Sequence, residues 1–131
     1  MPTRVDEIMT RKVLTIASDA KLEDAAWGLS LKRVQGAPVK DSQGRIIGML
    51  SKSDITLLER LHQPNGDLRA SDAMARVLYA VRQHDTVKQA ARRFVDTGAQ
   101  HLIVLDDEDR MVGTITPNDL LQLLILDDVD I

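Results

Sequence analysis

Apolar positions along this chain alternate between two periods, and the alternation spells out an order of elements. Residues 13–17 form a short apolar run with β-branched members, which predicts a strand. Leu22, Ala25, Ala26 and Leu29 then fall at i, i+3, i+4 and i+7, the spacing of one apolar helix stripe. Two further short strands are predicted at 37–40 and 45–50, joined by Asp41-Ser42-Gln43-Gly44, whose Asp, Ser and Gly suit a turn. A second helix is expected to start at Ser51-Lys52-Ser53-Asp54. The series then recurs. A strand at 77–81 is followed by the helical stripe Val87, Ala90, Ala91 and Phe94, then by strands at 102–105 and 111–115 joined by Asp106-Asp107-Glu108-Asp109, and a last helix from Thr116-Pro117-Asn118-Asp119.

The recurrence is also visible residue by residue. A shift of 65 positions aligns 9–58 with 74–123 without a gap, and eleven of the 50 aligned positions are identical. Unrelated segments of ordinary composition would share roughly 3. The identities are Met9/Met74, Arg11/Arg76, Ala25/Ala90, Ala26/Ala91, Gln35/Gln100, Val39/Val104, Asp41/Asp106, Arg45/Arg110, Gly48/Gly113, Asp54/Asp119 and Leu58/Leu123. The chain is a duplication of one βαββα unit.

Each unit should hold a parallel pair closed by a right-handed helical crossover, followed by an antiparallel hairpin. A three-stranded sheet with two helices buries little alone, so the expected fold is α/β (α+β by some schemes), with the two repeats packed through their sheets by pseudo-twofold symmetry. The expected boundaries are repeat 1 at 5–62, a linker at 63–69 marked by Gln63-Pro64-Asn65-Gly66-Asp67, repeat 2 at 70–126, and an acidic tail at 127–131.

Composition narrows the chemistry. Hydrophobic residues make up 44% and aromatics only 2%, so the core is aliphatic. Cysteine is absent, which excludes disulfides and thiolate chemistry and is compatible with a reducing cytoplasm. The net charge of −3 without a basic run argues against non-specific nucleic-acid binding. No apolar run reaches membrane-spanning length and no secretory signal opens the chain, so a cytoplasmic location is expected.

Val5-Asp6-Glu7-Ile8-Met9-Thr10, Val13-Leu14-Thr15-Ile16, Ala37-Pro38-Val39 with Asp41, and Gly48-Met49-Leu50-Ser51-Lys52-Ser53-Asp54 follow one another in an order and spacing that resembles the CBS domain family. Ser71-Asp72-Ala73-Met74, Leu102-Ile103-Val104 with Asp106, and Gly113-Thr114-Ile115-Thr116-Pro117-Asn118-Asp119 repeat the pattern, so the resemblance covers residues 5–126. It implies a disc-like pair of repeats with two clefts that take adenosine ligands such as AMP, ADP, ATP or S-adenosylmethionine. It also implies a homodimer and regulation of an effector protein, with no cofactor required. Some members carry no ligand and act as structural adaptors, and that alternative stays open.

Ser51 with Asp54, and Thr116 with Asp119, carry the physical case for a ribose site. A carboxylate accepts hydrogen bonds from both vicinal hydroxyls, and the N–H groups exposed at a helix start favour phosphate. The same Ser/Thr-x-x-Asp spacing is also close to a helix capping box, and Pro117 at a first helical position fits that reading too. Ser53 and Asn118 lie between these pairs. The walls of an adenine slot are matched by Ile16, Ala37 and Pro38, and by Val81, Leu102 and Ile103, all of which also suit a plain core. The resemblance places Thr15 at a position that contacts ligand, in the cleft with Thr116 and Asp119, which is the expected ligand cleft. It places His101 where relatives carry a basic residue; the first repeat has Gly36 there. Ile103 stands where the family pattern has a proline, as Pro38 does in the first repeat.

Other features have plainer readings. Asp106 to Asp109 read as a solvated turn because neighbouring hairpin side chains diverge instead of converging on a cation. Trp27, Leu31 and the apolar excess of the last helix (Leu120, Leu121, Leu123, Leu124, Ile125, Leu126) suggest a homodimer contact. His62, His84 and His101 show no metal or catalytic spacing, and no Gly-rich phosphate loop occurs, so an enzyme is not expected.

Overall fold

The structure, a computed structural model, describes residues 2–61 and 67–126. His62, most of the 63–69 linker and the acidic tail at 127–131 lie outside the described residues. The elements follow the order β1 (Ile16–Ala17), α1 (Leu22–Leu31), β2 (Gly36–Lys40), β3 (Ile46–Ser51), α2 (Lys52–Leu61), a short α3 (Ala70–Ala73), β4 (Ala80–Arg82), α4 (Val87–Thr97), β5 (Leu102–Leu105), β6 (Met111–Ile115) and α5 (Pro117–Leu126). A single 3-10 turn at Val5–Glu7 precedes them. Two three-stranded sheets result, β1-β2-β3 and β4-β5-β6, each with a parallel first pair and an antiparallel second pair.

The helices and hairpins fall where the periodicity puts them, but the first strand of each repeat is shorter than the apolar run. Pro38 explains the more severe case. Ile16 pairs with Val39, so extending β1 backward would set Thr15 against Pro38, which has no N–H to donate. In the second repeat Ile103 stands at that position, its N–H reaches the Tyr79 carbonyl at 3.0 Å, and β4 starts one residue earlier.

Contacts divide the chain into two compact units, Leu14–Leu78 and a composite of Met1–Val13 with Tyr79–Ile131. The units therefore differ from the repeats, because the segment preceding each repeat docks on the sheet of the other copy. In the composite unit, Val5 N donates to Asp85 O at 2.8 Å, Thr10 exchanges two backbone bonds with Thr114 at 2.9 and 3.0 Å, and Val5 and Met9 are buried. In the other unit, Met49 and Ala75 exchange bonds at 2.9 and 2.8 Å, and Ala70 and Met74 are buried. These straps pair with β6 and β3, which would otherwise be open sheet edges.

The straps account for two of the repeated identities. A Cβ on Gly48 would lie 2.6 Å from Met74 Sδ and 2.7 Å from the Ala75 carbonyl oxygen, and one on Gly113 would lie 2.7 Å from both Met9 Sδ and the Thr10 carbonyl oxygen. Only glycine lets the strap backbone come that close.

Each unit has its own core. One joins Ile16, Leu22, Ala25, Leu29, Ala37, Val39, Leu50 and Ile55 with the strap residues Ala70 and Met74. The other joins Val81, Val87, Ala90, Phe94, Leu102, Val104, Ile115 and Leu120 with Val5 and Met9. In both, the apolar helix stripes cover one sheet face, which is the burial that drives formation of such elements.

Candidate nucleoside-binding corners

The same end of each sheet gathers the candidate site residues: the start of the first and second strands, and the junction of the third strand with the helix that follows. In the Leu14–Leu78 unit this corner comprises Thr15, Pro38 and the run Ser51 to Asp54. Ser51 ends β3 and caps α2, its Oγ accepting from Asp54 N at 3.1 Å. Thr15, Ser51 and Asp54 are half-buried, Ser53 is exposed, and Pro38 is fully buried. Ile16 and Ala37 point into the core instead.

In the composite unit the corner comprises His101, Ile103 and the run Thr116 to Asp119. Thr116 and Asp119 form a reciprocal capping box. Asp119 N donates to Thr116 Oγ1 at 3.4 Å, and Thr116 N donates to Asp119 Oδ2 at 2.8 Å. His101 is half-buried beside Asp119. Burial holds its imidazole below the ordinary value, and the Asp119 charge opposes this only in part. Asn118 is exposed, and Val81 and Leu102 belong to the core. Ile103 is buried outside that core cluster, paired across the hairpin with the buried Thr114.

The capping geometry is thus present at both corners, complete at Thr116/Asp119 and half-formed at Ser51/Asp54. The other repeated polar residues serve the turns. Asp41 Oδ1 accepts from Gln43 N and Arg45 N, both at 2.9 Å, while Oδ2 meets Arg45 Nε at 2.9 Å. Asp106 does the same with Glu108 N, Arg110 N and Arg110 Nε at 2.9, 3.0 and 3.2 Å. The Arg45 and Arg110 backbone N–H groups are the main reason both carboxyls lie below their ordinary values. Glu108 and Asp109 pair with Arg110 and Arg82, and among the described residues no cluster of three or more metal-ligating side chains forms. No described helix is long and apolar enough to cross a membrane.

Two mixed three-stranded sheets of βαββα order, each closed by a strap and each ending in a capped carboxylate corner, define a tandem-repeat α/β protein. The chain belongs to the CBS domain family, whose model matches residues 5–59 and 70–126. It is similar to the uncharacterized protein MJ1225 of Methanocaldococcus jannaschii, 29% identical over 92% of this chain. It spans between 23% and 42% of the length of three curated relatives from that archaeon. The CBS domain pair of protein MJ0100, solved with 5′-methylthioadenosine and S-adenosyl-L-methionine, superposes with a TM-score of 0.82 at 22% identity, covering 95% of this chain and 97% of that one. CBSX2 of Arabidopsis thaliana in complex with AMP gives a TM-score of 0.78 at 23% identity, covering 94% and 96%. At these identities the likeness establishes the fold.

Proposed function

We propose that this protein is a regulatory module that binds an adenosine ligand of the AMP, ADP or ATP type and passes the ligand state to a partner chain or through its own homodimer. The observation that carries the reading is the pair of capped helix starts, each presenting a half-buried carboxylate, Asp54 or Asp119, where a sheet ends. Such a carboxylate accepts from ribose hydroxyls, and the helix start beside it favours phosphate. That similar folds carry AMP or S-adenosylmethionine supports the same ligand class. Regulation requires the ligand to bind one arrangement of the protein or its partner more tightly than another. No reaction is part of this reading, and a cysteine-free chain suits a cytoplasmic setting.

A thermal shift screen with AMP, ADP, ATP, NAD and S-adenosylmethionine tests it. A ligand at 100 times its dissociation constant should add about 2.7 kcal/mol of stability. If none raises the midpoint, while Asp54→Ala and Asp119→Ala fold normally without consequence, the protein is a ligand-free adaptor.

The adaptor reading has its own support in exposed apolar side chains. Trp27 and Leu31 on α1 are 65% and 63% exposed, and Leu57 and Leu61 on α2 are similarly open. Leu121, Leu124, Ile125 and Leu126 on α5 are also exposed. Surplus apolar area of this kind marks an association surface, here proposed as the homodimer contact. Trp27→Glu should convert a dimer to monomer in sedimentation velocity; an unchanged sedimentation coefficient would remove α1 from the contact.

A further inference from the structure

Each strap is held by its sheet as a separate peptide would be. In the composite unit, Val5 N and Asp6 N donate to the Asp85 and Gln83 carbonyls, Val87 N donates to the Thr3 carbonyl, and Thr10 and Thr114 exchange two bonds. At a shift of 65 positions, Ala70 N, Ser71 N, Leu22 N and the Met49/Ala75 exchange make the same five bonds, and all ten lie between 2.8 and 3.0 Å. Both sheets therefore recognise their straps through main-chain bonds plus two anchors, a buried residue at 5 or 70 and a methionine in the glycine hollow.

The anchors make the two docks selective. Val5 and Ala70 are both fully buried, so alanine in the Val5 site leaves a cavity and valine in the Ala70 site overpacks it. His84 Nε2 lies 3.8 Å from Asp6 Oδ2, where the other unit has Asp19 and Ser71. The docks also differ in connection. Residues 68–75 belong to the contiguous unit that they close, whereas the whole Leu14–Leu78 unit stands in the chain between the N-terminal strap and its dock. A strap joined to its sheet by a tight turn is held by the covalent link. This one is held by five bonds and two anchors, and a second copy of the chain presents the same set.

We infer that the dock formed by β6 and the 83–87 turn is a binding site for residues 3–10 of a second copy of this chain, so that two copies exchange N-terminal straps. The occupant must carry a mid-sized apolar residue followed four places on by methionine, as Val5 and Met9 do. A second copy competes with the chain's own strap as its concentration nears the effective concentration set by the tether, on the order of mM. The inference is independent of the adenosine-ligand reading and uses a different surface from the exposed apolar helices.

Complementation between two full-length variants tests it. Met9→Asp puts a carboxylate in the hollow and disables the strap but leaves the dock; Gly113→Val fills the hollow and blocks the dock but leaves the strap. Mixing the two should slow amide exchange at 102–115 of the Met9→Asp chain by roughly tenfold or more, since each regained backbone bond is worth about two- to tenfold. A chain carrying both substitutions should not slow it. No slowing, or equal slowing by the double variant, overturns the inference, while loss of dimer on Trp27→Glu would still support the helix contact. A second measurement covers a Met9→Asp chain that precipitates before mixing. The parent has no cysteine, so a Thr10→Cys chain and a Thr114→Cys chain, unfolded in urea, refolded together at high concentration and then oxidised, report exchange directly. A disulfide joining residue 10 of one chain to residue 114 of the other is expected by peptide mapping. Links only between like positions, or none, overturn the exchange.

Discussion

Gly113→Ala isolates the interaction that completes the composite unit. The added Cβ would sit 2.7 Å from the Thr10 carbonyl oxygen and 2.7 Å from Met9 Sδ, roughly 0.7 Å or more inside ordinary van der Waals contact. The methionine end could swing aside, but the carbonyl cannot, because Thr10 is bonded to Thr114 through both its N–H and its C=O. Relief requires the strap to lift, which strains two backbone hydrogen bonds of about 0.5–1.5 kcal/mol each and loosens the burial of Met9. Overpacking of this kind typically costs about 1–3 kcal/mol, and alanine returns about 0.4–1 kcal/mol by restricting the unfolded chain. The expected net loss is about 0.5–2.5 kcal/mol. Urea unfolding followed by far-UV circular dichroism reads it, and amide exchange at Thr10 and Thr114 should accelerate. Gly28→Ala supplies the control of opposite sign. That glycine lies inside α1 with open space around its Cβ position, so alanine there should stabilise by about 0.5–1 kcal/mol. If Gly113→Ala falls within about 0.5 kcal/mol of the parent, the strap is not seated on β6 as described, and the account of the Gly48/Gly113 identity fails with it.

Thr86 caps α4 by accepting from Gln89 N at 3.1 Å while Gln89 Oε1 accepts from Thr86 N at 2.8 Å, so Thr86→Ala should cost about 1 kcal/mol in urea unfolding. Arg33 holds a left-handed conformation at φ 54°, at the position where the second repeat has Gly98 at φ 70°. Arg33→Gly should raise stability by about 0.5–1 kcal/mol, the relieved strain less the added chain entropy, and a lowered melting midpoint would contradict this. His101 binds a proton less readily folded than unfolded. Stability should therefore fall as pH drops below about 6.5 toward the lower folded value, and be insensitive to this group above it. His101→Gln should remove that part of the slope in urea midpoints measured across the range, and an unchanged slope would show that another group carries it.

The site residues were only partly legible in sequence. The duplicated Asp54/Asp119 pair singles out the two corners, and the capping reading of that spacing is the one the hydrogen bonds show, since Ser51 and Thr116 do cap. Ile16, Ala37, Val81 and Leu102 turn out to serve the cores, because an apolar residue beside a site and one beneath it look alike in sequence. Repetition itself misleads about chemistry. Asp41/Asp106 and Arg45/Arg110 repeat because they clamp tight turns, and Met9/Met74 with Gly48/Gly113 because they let a strap approach a sheet edge.

Element order, duplication and helix starts were determined by the sequence alone, because each depends on periodicity and on groups within a few residues of one another. Tertiary structure decided which sheet receives each strap, why those glycines tolerate no side chain, and which carboxylate is left unbonded. These depend on backbone atoms far apart in the chain meeting within about 3 Å, a distance no local pattern encodes. Pro38 and Ile103 show how the two levels join. A single missing N–H, readable in the sequence, shortens β1 relative to β4, an effect that appears only when the neighbouring strand is in place.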